Sequence, residues 1–130
     1  MRFADDVNPE GVHPVLWLFL GAIATRHRLD IGPELVVTSL RRRPGPRPSL
    51  HSPPEGELCR AADLRRWALD KAGFTQNFVG FLRRRYGQSL GVVLEPEELT
   101  PAQIAERGGR DKIAPHIHVQ LKSTEWPELV

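Results

Sequence analysis

Cysteine is almost missing from this chain: Cys59 stands alone among 130 residues. No intramolecular disulfide can form, so a disulfide-stapled scaffold is excluded and no oxidising compartment is required. Lysine is also scarce, because fifteen of the eighteen cationic side chains are arginine. The net charge of only +2 does not suggest the clustered basic face of a dedicated nucleic-acid binder, and no nucleic-acid partner is expected. Long apolar runs are lacking too. The stretch Val15 to Ala24 falls short of the roughly twenty residues that cross a bilayer, so no membrane span is expected. Asp5, Asp6 and Glu10 precede it where a secretory leader would carry cations. It reads as a buried first helix of a protein made in the cytoplasm without a signal peptide. Repeats and internal boundaries are absent as well, which leaves a single domain over residues 1–130. A chain of this length buries roughly two-thirds of its unfolded surface without staples.

What is present reads as α+β. Residues 1–13 are polar and irregular, and Pro14 suits the first position of a helix running to about Arg28. Glu34 to Ser39 is a β-branched, apolar strand. Arg41 to Pro54 holds five prolines, one glycine and four arginines, which no regular element tolerates, so a long loop is expected. A short strand over 60–65 leads into helix from about Arg66 to a break at Gly73. Thr75 is the expected N-cap of a helix through Tyr86, closed by Gly87. Ser89 to Glu95 is a further strand, and Thr100-Pro101 opens a short helix that Gly108-Gly109 ends. The order predicts a small, mostly antiparallel sheet with two or three packed helices.

The last strand carries the chemistry. Side chains alternate across a strand, so Ile117, Val119 and Leu121 form a core face while His116, His118 and Gln120 face the other way. Two imidazoles one pleat apart can share a metal ion or a substrate. His13 and His27 are expected to be exposed and incidental, whereas His51 ends the proline-rich loop twelve positions before Asp63. Two imidazoles, one carboxylate and an open position make a catalytic zinc site. His51, Asp63 and His118 can supply that set, and zinc would bring the pKa of a bound water toward neutrality. His116, on the same strand face, would take a proton from that water or steady an oxyanion. On spacing alone, surface or core histidines explain the same residues.

The ordered motifs narrow the choice. Val36-Val37-Thr38-Ser39, Ser49-Leu50-His51, Ala61-Ala62-Asp63, Leu90 to Glu95 and His116-Ile117-His118-Val119 together resemble the hedgehog/D-Ala-D-Ala zinc peptidase group. Within that group they are most similar to its short phage-associated members. The resemblance spans about residues 14–122 and implies the fold of that group. It also implies Zn2+ held by His51, Asp63 and His118, with His116 assisting, and cleavage of peptide bonds in peptidoglycan stems or cross-links. An arginine after the Thr-Ser strand end would bind a substrate carboxylate or the oxyanion; Arg42 fills that place, with Arg41 as its neighbour. A phage-type release would then bring the enzyme to the cell wall. The chain departs from the group in two places. The separation of His51 from Asp63 is longer than usual, and Pro115 replaces the acidic residue often found three positions before the last histidine.

Three more residues have two readings each. Ser49 hydrogen-bonds around the site or caps the loop. Glu95 either orients a histidine or is a solvated strand end. Cys59 is a small buried filler, or else a ligand or thiol nucleophile. Other functions stay open: a non-catalytic zinc-containing relative that binds cell wall or a partner, and a cysteine hydrolase. The sequence indicates neither oligomeric state nor which peptide bond is cut.

Overall fold

The computed structural model describes residues 1–5, 7–40 and 57–125. Helix α1 (Pro14–Ile31) opens with proline in its first turn, and the ring of His13 accepts a hydrogen bond from the Val15 N–H at 3.1 Å. His13 is therefore a helix cap, not an incidental residue. Val15, Leu16, Phe19, Leu20, Ile23 and His27 are buried along one face, at the spacing expected of a helix that covers a core. Gly32, with φ of 93°, ends the helix by donating to the Arg28 carbonyl.

The chain then enters β2 (Val36–Ser39), which borders β1 (Arg2–Phe3) in parallel and β3 (Ala61–Arg65) antiparallel. Strand β1 lies within the lead-in expected to be irregular. It gives no alternation to read, because it is held by backbone bonds from Arg2 to Leu35 and from Ala4 to Val37. Helices α2 (Trp67–Ala72) and α3 (Thr75–Tyr86) follow, then β4 (Leu90–Glu95), α4 (Pro101–Glu106), a turn of 3-10 helix and β5 (His116–Leu121). The strand order is β1-β2-β3-β5-β4. The mostly antiparallel α+β architecture is as expected, but four α-helices accompany the sheet among the described residues instead of two or three.

Thr75 is the first helical residue of α3, and the cap position belongs to Phe74. The Thr75 hydroxyl instead donates to Asp70 Oδ1 at 2.5 Å, where a cap would have bonded its own backbone. Thr100 does cap α4, in a reciprocal box with Gln103.

One sheet face packs against the helices. Leu64, Val92, Leu94, Ile117 and Val119 join Phe19, Leu20, Phe78 and Leu82 in a continuous core. Strand β4 is a sheet edge, and two of its outward polar groups are occupied: Arg83 donates to the Val92 carbonyl at 2.8 Å, and Glu98 accepts from the Leu94 N–H at 2.6 Å. Those two side chains pair with each other at 2.5 Å.

His27 is 2% exposed, against the expectation of an exposed residue. Its Nδ1–H donates to the Pro33 carbonyl at 2.8 Å, and its ring meets Phe78 edge to face. A turn-forming sequence after α1 brings that carbonyl back to the ring, which no helical pattern announces. Burial lowers the His27 pKa below its usual 6.5, over the opposing pull of the Pro33 carbonyl and Asp30.

Two outcomes follow from this packing. Phe78→Ala is expected to cost about 3–5 kcal/mol in denaturant unfolding, the range for deleting a fully buried aromatic ring. Because the folded-state pKa of His27 is depressed, its contribution is complete above the usual value and is lost as pH falls through the folded one. Wild type should therefore lose more stability than His27→Gln between about pH 7 and about pH 5, measured by urea unfolding.

Candidate metal centre

The face of the sheet opposite the core carries a polar array fixed by strand register. Arg65, His116 and Glu95 lie side by side across β3, β5 and β4; Asp63, His118 and Val93 form the next row; Ala61, Gln120 and Gly91 form the third. Directly opposed residues on one face of antiparallel strands stand about 4.5–5.5 Å apart at Cβ. The register alone therefore brings two imidazoles between two carboxylates.

The contacts are close. His118 Nδ1 lies 2.9 Å from Asp63 Oδ1, and His116 Nε2 lies 3.3 Å from both Asp63 Oδ1 and Glu95 Oε2. Asp63, Glu95 and His116 each offer a ligand atom within 4.8 Å of the others, a group able to hold a metal ion. His118 adjoins that group through Asp63 and reaches Glu95 Oε2 at 4.0 Å. Both carboxylates are almost fully buried, with side-chain exposures of 6% for Asp63 and 3% for Glu95.

Each imidazole also has an orienting acceptor on its other nitrogen. His116 Nδ1–H donates to the Ala114 carbonyl at 2.8 Å, and His118 Nε2 faces Gln120 Oε1 at 2.9 Å. Such outer partners fix ring orientation and tautomer in metal-binding histidines. The nitrogens left over face carboxylate oxygens. A ring nitrogen in that position must carry a proton or share a cation with the oxygen, because two lone pairs repel.

In the ion-free protein the surroundings of His116 favour a proton in this role. Burial opposes its charge, but the hydrogen bond to Asp63, the charges of Asp63 and Glu95, and the Ala114 carbonyl outweigh burial and raise its pKa above 6.5. Glu95 is steadied from the far side by Arg107, which pairs with its Oε1. Arg66 holds the strand end, donating to the Glu95 carbonyl at 3.1 Å while paired with Asp70 and Glu97.

Of the residues singled out in the sequence, Asp63, His116 and His118 are brought together. His51, Arg42, Arg41 and Ser49 lie outside the described residues. Glu95 is part of the cluster and not a solvated strand end. Its place on this face was readable only from the parity of Gly91, Val93 and Glu95, which Val93 obscures by being apolar. Arg107 carried no sequence signal, since a remote helix end delivers it. Cys59 is fully buried, with its thiol on the Ala61 carbonyl at 3.2 Å, and lies outside the metal-capable group. No protein-family model, curated protein or solved structure matches the chain.

Gly91 is the small partner that Gln120 requires. A Cβ at Gly91 would sit 3.3 Å from Gln120 Cγ, so Gly91→Val should push the amide off His118. Affinity for a divalent transition ion should fall about 10- to 100-fold, the usual cost of losing an orienting partner, as read by competition with a chelating dye. For His116 the folded pKa is raised, so its contribution to ion-free stability is complete below 6.5 and lost as pH rises through the folded value. Glu95→Gln removes one of the charges that raise it. The His116 ring should then titrate at lower pH, as followed by NMR.

Proposed function

We propose that the chain is a zinc-dependent peptidase that hydrolyses peptide bonds of peptidoglycan stem peptides or cross-links. The observation that carries this reading is the meeting of Asp63, Glu95, His116 and His118 on one sheet face, each imidazole turned toward a carboxylate by a partner on its other nitrogen. The donor set fits zinc, which takes imidazole nitrogen and carboxylate oxygen. The ordered resemblance to the hedgehog/D-Ala-D-Ala group, with His51 as the further ligand, supports the same assignment.

On this reading Asp63 and His118 hold the ion, and His116 with Glu95 manages protons. Bound zinc supplies a Lewis acid that polarises a carbonyl and makes water a usable nucleophile near neutral pH. His116 accepts a proton at Nε2 while Ala114 keeps Nδ1 protonated, so the ring shuttles without turning. Glu95 favours the resulting cation from 3.3 Å, and Arg107 pairs with the other carboxylate oxygen of Glu95. Gln120 keeps His118 in the tautomer that leaves Nδ1 for the ion.

Purified protein should contain close to one zinc per chain and release soluble peptides or free D-alanine from peptidoglycan. Asp63→Asn and His118→Ala should lose both metal and hydrolysis. His116→Ala should keep the metal and lower kcat by about 10²- to 10⁴-fold, the range for a general base. Zinc lost from His116→Ala but kept by His118→Ala would reverse the roles of the two histidines. Bound zinc with no turnover on any wall preparation would instead favour a zinc-stabilised cell-wall or partner-binding module.

A further inference from the structure

Arg65 is the one member of the polar array whose charge has no use in the scheme above. It lies directly across from His116 in the β3–β5 register, on the same face, and is exposed. Among the described residues its side chain has no hydrogen bond or ion pair. Its neighbours are all committed. Arg66 is paired with Asp70 and Glu97, Arg107 with Glu95, and Lys71 lies over the Trp67 ring at 5.3 Å.

Arg65 also lines a cleft of about 410 Å³ with Trp67, Pro115, Arg66 and Asp70. Pro115 immediately precedes His116, and Arg65 is paired with His116, so the cleft adjoins that end of the array. Trp67 is 67% exposed although it is a large apolar side chain. An exposed indole beside an unpaired guanidinium offers an apolar wall and a forked donor at one place. The guanidinium matches a carboxylate with two parallel N–H···O bonds.

We propose that Arg65, walled by Trp67 and Pro115, is the subsite that binds a carboxylate of the substrate next to the reacting bond. This rests on the peptidase reading and adds to it a specificity-determining residue. Two carboxylates can meet the same guanidinium: the chain-terminal one, which makes the enzyme a carboxypeptidase, or a side-chain carboxylate within a stem peptide, which makes it an endopeptidase.

The test uses zinc-loaded wild type, Arg65→Ala and Arg65→Lys. Three acylated peptides ending in D-Ala-D-Ala serve as probes: a free acid, its C-terminal amide, and an amide carrying a D-glutamate side chain. Binding is followed through the Trp67 indole N–H resonance, and turnover is followed separately. Wild type should bind one carboxylate-bearing probe more tightly than the plain amide. Arg65→Ala should lose about 10- to 100-fold for that probe alone, the worth of a charge-assisted pair, and Arg65→Lys should recover part of it. The probe that is preferred identifies which carboxylate is read.

Equal binding of all three probes by wild type would overturn the subsite, as would a preference that survives in Arg65→Ala. The two readings fail separately. Turnover without an Arg65-dependent preference sinks the subsite and leaves the peptidase. An Arg65-dependent preference without turnover keeps the subsite and sinks the peptidase.

Discussion

Two carboxylates buried within reach of one nitrogen are the constraint that governs this molecule. Asp63 and Glu95 both approach His116 Nε2 at 3.3 Å, and both are nearly inaccessible to water. Like charges in such a place repel, and each separately loses hydration. Positive charge must be supplied, and the fold supplies it from several directions: a proton on His116, the Arg107 guanidinium at the outer oxygen of Glu95, or a metal ion shared with His118. Until a cation arrives, such a buried arrangement stabilises the fold poorly.

The sheet gives this cluster its precision. Three neighbouring strands deliver the four side chains in adjacent register positions, and β5, between β3 and β4, is paired along its full length. A one-residue slip would exchange His116 and His118 for Ile117 and Val119 and bury polar groups in the core. The hydrophobic face thus enforces the register that the polar face uses. Arg66 adds a clamp where β3 leaves the sheet, tying its exit to the end of β4.

Much of this was legible in the sequence, and the illegible parts have physical causes. The alternation in residues 116–121 placed both histidines on one face because a strand's period leaves no other choice. Pro14, Thr100 and Gly87 marked helix ends because each meets a local backbone need. Glu95 was ambiguous, since a carboxylate at a strand end is usually solvated and only the neighbouring strand says otherwise. His27 looked like a frayed helix end, yet the turn at Gly32-Pro33 folds an acceptor onto its ring. Thr75 had the composition of a cap, but its hydroxyl found Asp70 of the preceding helix. In each case the deciding partner lies outside the residue's own element, where its periodicity does not reach.

The side-chain cover on β4 has a consequence for how the protein behaves in company. An outermost strand is a template on which a second chain can extend the sheet. Here the outward carbonyl of Val92 and N–H of Leu94 are already taken by Arg83 and Glu98. Those two groups imitate the next strand's donor and acceptor and cover that part of the edge. The cover is held by one pair of partly exposed charges, so concentrated salt loosens it. The strand that carries Glu95 would then be open to a neighbouring chain along that part of its edge.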